Sequence, residues 1–121
     1  MPRKRIVVID DQEIALEAYL AFFNKFGYDV RVALTCEEGL KIINEISLDL
    51  LLIEYRLSGI GGLGVIQHIR KKDQKTRVIV MTTGPKEDIK SEFKTLNVFE
   101  IVEKPLSLED LLGSVRIALK S

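Results

Sequence analysis

Apolar and polar positions along the chain fall into two alternating kinds of pattern. Ile6 to Ile9, Leu50 to Ile53 and Val78 to Met81 are short all-apolar runs. They lack the alternation of a half-exposed strand and so predict strands buried on both faces, as in a parallel sheet. Asp29 to Ala33 alternates at Val30 and Val32, which predicts a shorter and more exposed strand, and Phe99 to Val102 supplies a fifth. Between these runs the apolar spacing becomes helical. Glu13 to Phe26 predicts a helix with Ile14, Ala18, Phe22 and Phe26 as its buried stripe, Tyr19 and Phe23 beside it, and Gly27 as its stop. Thr35 and Glu38 stand in capping-box spacing before a helix that turns Leu40, Ile43 and Ile46 inward. Leu63, Ile66 and Ile69 mark a third helix, which runs out in the charged stretch Arg70 to Lys75. Pro85 suits the first turn of a fourth helix carrying Ile89, Phe93 and Leu96 inward, with Glu87 and Asp88 near its positive end. Ser107 and Asp110 open a last helix, whose buried side is Leu108, Leu111, Val115 and Ala118.

Five strand and helix signals in alternation, with no repeat or linker between them, predict βαβ units and an α/β fold with a parallel sheet. Right-handed crossovers then place helices on both faces, and ligands bind outside the carboxyl ends of the strands. The polar residues at those ends are Asp10 and Asp11 after the first strand, Glu54 after the third, Thr82 after the fourth and Lys104 after the fifth. Crowded carboxylates repel one another and hold a hard divalent cation, for which Mg²⁺ with its oxygen ligands is the natural choice. Mg²⁺ in turn suggests phosphate. A phosphoryl group on a carboxylate needs its oxygens neutralised by metal, lysine and a hydroxyl or amide donor. Glu54 ends the central strand and is the carboxylate placed to be the acceptor.

Composition narrows the classes. At 121 residues the chain forms one domain, residues 1–121, long enough to bury a core. Its 18 basic and 18 acidic side chains balance, which argues against direct nucleic-acid binding. Met1 to Arg5 is basic, but the apolar run behind it is too short for a signal peptide or a membrane span, so the expected location is the cytoplasm. Cys36 has no cysteine to pair with and reads as a small packed residue. A nucleotide- or flavin-binding domain would need a glycine-rich turn after the first strand, where this chain has Asp10-Asp11-Gln12-Glu13. The glycines at 59, 61, 62 and 64 follow the third strand and form no phosphate-cradling motif. A phosphatase with an aspartate nucleophile would want a second acid where Gln12 stands. His68 lies off the apolar stripe of its helix and reads as a surface residue, not a phosphorelay histidine.

Taken in order, the VIDD at Val8 to Asp11, the acid after LLLI, the LSGIGG loop, the MTTG at Met81 to Gly84 and the VEKP at Val102 to Pro105 resemble a response-regulator receiver domain over essentially the whole chain. The resemblance implies a CheY-like, flavodoxin-like doubly wound sheet of five parallel strands in the order 2-1-3-4-5. It also implies a metal site made by Asp10, Asp11, Glu54 and the backbone carbonyl of Arg56, with Thr82 as switch hydroxyl and Lys104 as the phosphate-contacting lysine. The Lys104 to Pro105 bond resembles one that is cis in the family. Implied partners are a sensor histidine kinase or a small phosphodonor, and an output domain or protein partner on the face formed by the fourth helix, fifth strand and last helix. In this chain that face is roughly Lys86 to Lys94, Phe99 to Glu103 and Glu109 to Lys120. The resemblance allows homodimerisation there, and it allows the domain to be the N-terminal part of a longer regulator.

The departures are as informative as the matches. Glu54 stands where the family has its phosphoacceptor aspartate, Ser58 and Gly61 where it usually has proline and aspartate, and Ile101 at the switch position that usually holds an aromatic ring. The extra methylene of glutamate shifts the carboxylate by roughly 1.3 Å. Displacements of about 1 Å can cost around a hundredfold when a reaction depends on alignment. Glu54 is therefore expected to accept phosphoryl groups poorly or not at all, with Mg²⁺ weakened or lost if its carboxylate is misplaced. The longer arm could instead carry its charge toward Thr82 and Lys104, as a partial mimic with one charge against about 1.5 to 2 for a phosphoryl group. A domain held in an active-like state and a constitutive binding module both remain open. A third reading is an engineered aspartate-to-glutamate change in a working receiver, against which Ser58, Gly61 and Ile101 argue.

Overall fold

The computed structural model describes residues 2–120 and contains one sheet of five parallel strands in the order β2-β1-β3-β4-β5. The strands are β1 (Arg5–Ile9), β2 (Asp29–Ala33), β3 (Leu50–Glu54), β4 (Arg77–Thr82) and β5 (Glu100–Glu103). The helices are α1 (Glu13–Lys25), α2 (Cys36–Glu45), α3 (Gly61–Lys72) and α4 (Leu108–Lys120). Met1 and Ser121, the ends of the expected domain, lie outside the described residues.

The strand pattern explains the layering. Alternate residues of each central strand face opposite ways, so an all-apolar run feeds two cores at once. Ile6, Val8, Leu50 and Leu52 pack with Leu16 and Phe23 of α1 and Leu111 and Val115 of α4. Val7, Ile9, Leu51 and Ile53 pack on the other side with Val65, Ile66 and Ile69 of α3 and with Cys36, which is buried as expected. Each fully buried aliphatic side chain contributes at most about 1.5–3 kcal/mol, so these two layers supply most of the fold's cohesion. The central pairing of β1 with β3, from Ile6 opposite Leu50 to Ile9 opposite Ile53, brings the residues that follow each strand to a common edge.

The helix caps follow their sequence signals. Thr35 Oγ1 accepts from the Glu38 amide at 3.1 Å, while Glu38 reaches back to the Leu34 amide at 3.3 Å, one residue beyond a strict capping box. Ser107 Oγ accepts from the Asp110 amide at 3.0 Å.

Three expectations need correcting. Helix α1 buries Leu16, Tyr19 and Phe23, whereas Ile14 is 83% exposed and Ala18 and Phe26 also face solvent. Four-residue steps overshoot a full turn by about 40° each, so a stripe from Ile14 through Ala18 and Phe22 to Phe26 winds around the helix. Steps of three and four hold one face, and these join 16, 19 and 23.

The expected fourth helix is instead two 3-10 turns, Lys86–Asp88 and Lys90–Phe93, joined at Ile89 with φ −115°. Ile89 and Phe93 are buried as expected, but the backbone closes by short bonds such as Glu92 N–H to the Ile89 carbonyl at 3.0 Å. Asp88, Ser91 and Thr95 give this stretch weak helix propensity. Tertiary partners then win: the Lys86 amide donates to Glu103 at 2.8 Å, and Glu92 is held by Tyr55. Strand β5 also starts one residue later than expected, leaving Phe99 at its mouth with its amide donated to the Val78 carbonyl at 2.8 Å.

Candidate functional site

The carboxyl ends of β1 and β3 and the residue after β5 place three charged side chains in contact. Asp10 follows β1 and is fully buried, its amide tied to the Ala33 carbonyl at 3.1 Å. Glu54 is the last residue of β3, in register with Met81 of β4, and is 5% exposed. Lys104 follows β5, its amide donating to the Thr82 carbonyl at 2.7 Å, and precedes a cis Lys104–Pro105 bond. The Lys104 ammonium lies 2.7 Å from Asp10 Oδ2 and 2.7 Å from Glu54 Oε1. Burial alone would lower the ammonium's pKa. Hydrogen bonds to Asp10 and Glu54 outweigh that and hold it above the ordinary lysine value, so it stays charged.

The remaining carboxylate oxygens are also occupied. Asp10 Oδ1 accepts from the Gln12 amide at 3.0 Å and Glu54 Oε2 from the Arg56 amide at 3.3 Å. Two buried anions share one cation and two backbone donors, the arrangement that makes buried charge tolerable. Thr82 is buried at the end of β4, its Oγ1 accepting from the Gly84 amide at 3.2 Å. Asp11 and Arg56 are exposed at the rim. Ile101 is half-buried, in register with Val80 on β4. The structure thus joins Asp10, Glu54 and Lys104, sets Thr82 on the neighbouring strand end, and leaves Asp11 in solvent.

The loop after Glu54 is shaped by glycine. Gly61 has φ +73°, a conformation that a side chain disfavours. A Cβ on Gly62 would stand 2.6 Å from the Glu54 carbonyl oxygen and 3.1 Å from Tyr55 Cα, so α3 can approach the end of β3 this closely only without one.

Three residues of consequence escaped the sequence reading. Tyr19 sits beneath the cluster with Oη 3.6 Å from Met81 Sδ, and its burial pushes the phenol's pKa up. Tyr55 points to the opposite face from Glu54. Its Oη stands 2.8 Å from both Glu92 carboxylate oxygens, and its ring meets Phe93 edge-on at 5.9 Å. Strand alternation after Ile53 was a usable signal for Tyr55. Arg70, expected to belong to a charged solvent run, is buried and donates to the carbonyls of Leu96, Asp73, Thr76 and Asn97 at 2.7 to 3.1 Å.

A groove of about 540 Å³ lies away from the acidic cluster and runs between the 3-10 turns and β5. Lys86, Lys90 and Lys94 are exposed on it, and Phe93, Phe99 and Ile101 contribute its apolar wall. No helix among the described residues is long and apolar enough to cross a membrane.

Residues 6–116 match the family model of the response regulator receiver domain, and the chain belongs to that family. It is the receiver domain of a two-component response regulator, a kind of signalling module that works with histidine kinases and output domains. Among its relatives in Bacillus subtilis, the sporulation initiation phosphotransferase F is 28% identical over 123 residues, covering 100% of this chain and 99% of the relative. The uncharacterized transcriptional regulatory protein YkoG is 29% identical over 120 residues, covering 99% of this chain but 53% of its own. The chain therefore spans about half the length of that transcriptional regulator. A CheY-like receiver from Methanospirillum hungatei has the same fold with a TM-score of 0.93 at 24% identity, covering 98% of this chain and 95% of that one. The response regulator TrrA from Thermotoga maritima, solved with Mg²⁺ and BeF, is 29% identical with a TM-score of 0.84, covering 96% of this chain and 99% of that one.

The donor set of this chain, as arranged, does not fit a divalent cation of that kind. All four oxygens of Asp10 and Glu54 accept from protein donors, and the Lys104 ammonium stands between the two carboxylates. Among the described residues, no three Asp, Glu, His or Cys side chains gather closely enough to hold a metal ion.

Proposed function

We propose that this domain signals without being phosphorylated: Glu54 fills the acceptor position with a carboxylate already neutralised by Lys104. The observation that carries this reading is the 2.7 Å contact between Glu54 Oε1 and Lys104 Nζ inside a buried pocket. The lysine that would draw in the oxygens of an incoming phosphoryl group is engaged by the acceptor side chain itself. The methylene that separates glutamate from aspartate also displaces the nucleophilic oxygen by roughly 1.3 Å, enough to spoil in-line attack. Of the expected cation ligands Asp10, Asp11, Glu54 and the Arg56 carbonyl, Asp10 and Glu54 are held by the Lys104 ammonium, and on this reading Mg²⁺ binds weakly because it must displace that ammonium from both. The domain is then a non-enzymatic cytoplasmic interaction module. Its partners, an output domain or another protein, meet it through the lysine-lined groove and α4, a face also suited to pairing with a second copy.

The test treats the purified domain with Mg²⁺ and a small phosphodonor, beside Glu54→Asp, and reads intact mass. Phosphoryl gain by the aspartate variant alone is expected. A stable gain on Glu54 overturns the proposal. If neither protein gains a phosphoryl group, Glu54 is not what silences the pocket and the assignment fails. Titration of Mg²⁺ by calorimetry should give saturable binding for Glu54→Asp and much weaker binding for the parent; equal affinities would remove the argument from Lys104.

A further inference from the structure

Tyr55 is the residue immediately after the acceptor position, and its two ends engage different parts of the molecule. Its backbone belongs to the site: the amide donates to the Met81 carbonyl at 2.8 Å, the carbonyl accepts from the Gly62 amide at 3.1 Å, and both flanking residues, Glu54 and Arg56, are joined by the Glu54 Oε2 hydrogen bond. Its side chain belongs to the 3-10 segment, with the hydroxyl on Glu92 and the ring against Phe93. We infer that Tyr55 and Glu92 form a clasp that couples the position of the Glu54 carboxylate to the 3-10 turns and to the lysine-lined groove beside them.

Three observations support the clasp. First, Ile101 at the switch position has no ring to swing, so the route that an aromatic there would provide is missing from this chain. Second, the coupled segment is made of turns three and four residues long, held by tertiary contacts more than by their own ladder. Such a segment moves at low cost when an anchor moves. Third, the anchor is directional, with a solvent-facing hydrogen bond at one end and a ring seated on buried Phe93 at the other. The phenol donates to a carboxylate at 2.8 Å, and because Phe93 is buried, displacement of the tyrosine ring disturbs the core contact at 5.9 Å as well as the hydrogen bond. The hydrogen bond to Glu92 also pushes the Tyr55 pKa up, so the phenol, already a donor at neutral pH, remains one further into the alkaline range. Phe93, Lys86, Lys90 and Lys94 all line the groove, so a shift in this segment alters the surface presented there.

The proposal concerns transmission and does not depend on whether Glu54 can be phosphorylated, so its test perturbs the acceptor by substitution. Amide NMR spectra are compared for the parent, Glu54→Gln, Tyr55→Phe, Glu92→Gln, Glu92→Ala and each of the last three combined with Glu54→Gln. Glu54→Gln is expected to shift the resonances of Lys86 to Phe93 in the parent, and this response should be lost in the Tyr55→Phe and Glu92→Ala backgrounds. Tyr55→Phe keeps the ring contact with Phe93, and thermal melts establish that each variant is folded. Glu92→Gln still offers an oxygen to the phenol and should preserve the response, a rescue that a purely structural role for the pair does not require. An unchanged response in Tyr55→Phe overturns the clasp, as does the absence of any response in the parent.

Discussion

Replacing Lys104 by methionine tests whether one shared cation holds the two buried carboxylates in place. The aliphatic stem is largely kept, but Asp10 and Glu54 are left as two buried carboxylates with no cation between them. Their oxygens each lie 2.7 Å from Nζ, so they are separated by no more than twice that distance. At this limit two like charges repel by about 3 kcal/mol for an effective dielectric of about 20. Removing one partner of a buried pair commonly costs about 3–5 kcal/mol, and because the Lys104 side chain is 15% exposed the lower end applies. The expected loss is therefore about 3 kcal/mol, or about 10–15 °C in melting temperature for a domain of this size. Chemical denaturation at neutral pH measures it. Glu54→Gln in the Lys104→Met background should recover most of the loss, because it removes one of the two anions. In the parent, the raised lysine pKa means that the stabilisation is fully present below the unfolded value of 10.5 and disappears only as pH rises through the higher folded value. Lys104→Met should remove that alkaline dependence. A loss below about 1 kcal/mol, or no recovery in the double variant, would refute the view that Lys104 stabilises both carboxylates.

Two further outcomes follow from the packing around the site. Gly62→Ala should cost about 1–3 kcal/mol in denaturant unfolding, since its Cβ meets backbone atoms that cannot rotate away, whereas Gly113→Ala, with open space around it, should be neutral or stabilising. Arg70→Met should cost about 2–4 kcal/mol and raise hydrogen exchange around Leu96 and Asn97, because four guanidinium hydrogen bonds to carbonyls are lost.

The central strands were legible because an all-apolar run of four residues has one good place to go in a domain of this length, whereas the strand order came from the family resemblance and not from the runs. The contact between Glu54 and Lys104 was also legible in outline, since strand ends in a doubly wound sheet share one edge. What failed had specific causes. The α1 stripe was read at a constant interval of four, although Leu16, Tyr19 and Phe23 carry the helical period. The 3-10 segment was read as a helix because Ile89 and Phe93 have helical spacing and are indeed buried; hydrogen bonds to Tyr55 and Glu103, distant in sequence, decide its backbone. Arg70 looked like solvent charge because its four acceptors are backbone carbonyls, which no side-chain pattern reveals. Asp10 and Asp11 follow the same strand, but the pattern did not say which of the two is buried; it is Asp10 alone.

The bond between Lys104 and Asp10 spans 94 positions, nearly the whole chain. Closing so long a loop is entropically costly until the intervening strands have paired, so this contact forms late, after β1 and β3 have already brought their two anions together. Until β5 docks, the half-built sheet carries that repulsion. Docking of the last strand relieves it, so the pocket acts as a closing latch on the assembled sheet. Its loss should appear mainly as faster unfolding, with the folding rate nearly unchanged. The Asp10, Glu54 and Lys104 cluster thereby ties distant parts of the sequence into a single cooperative unit.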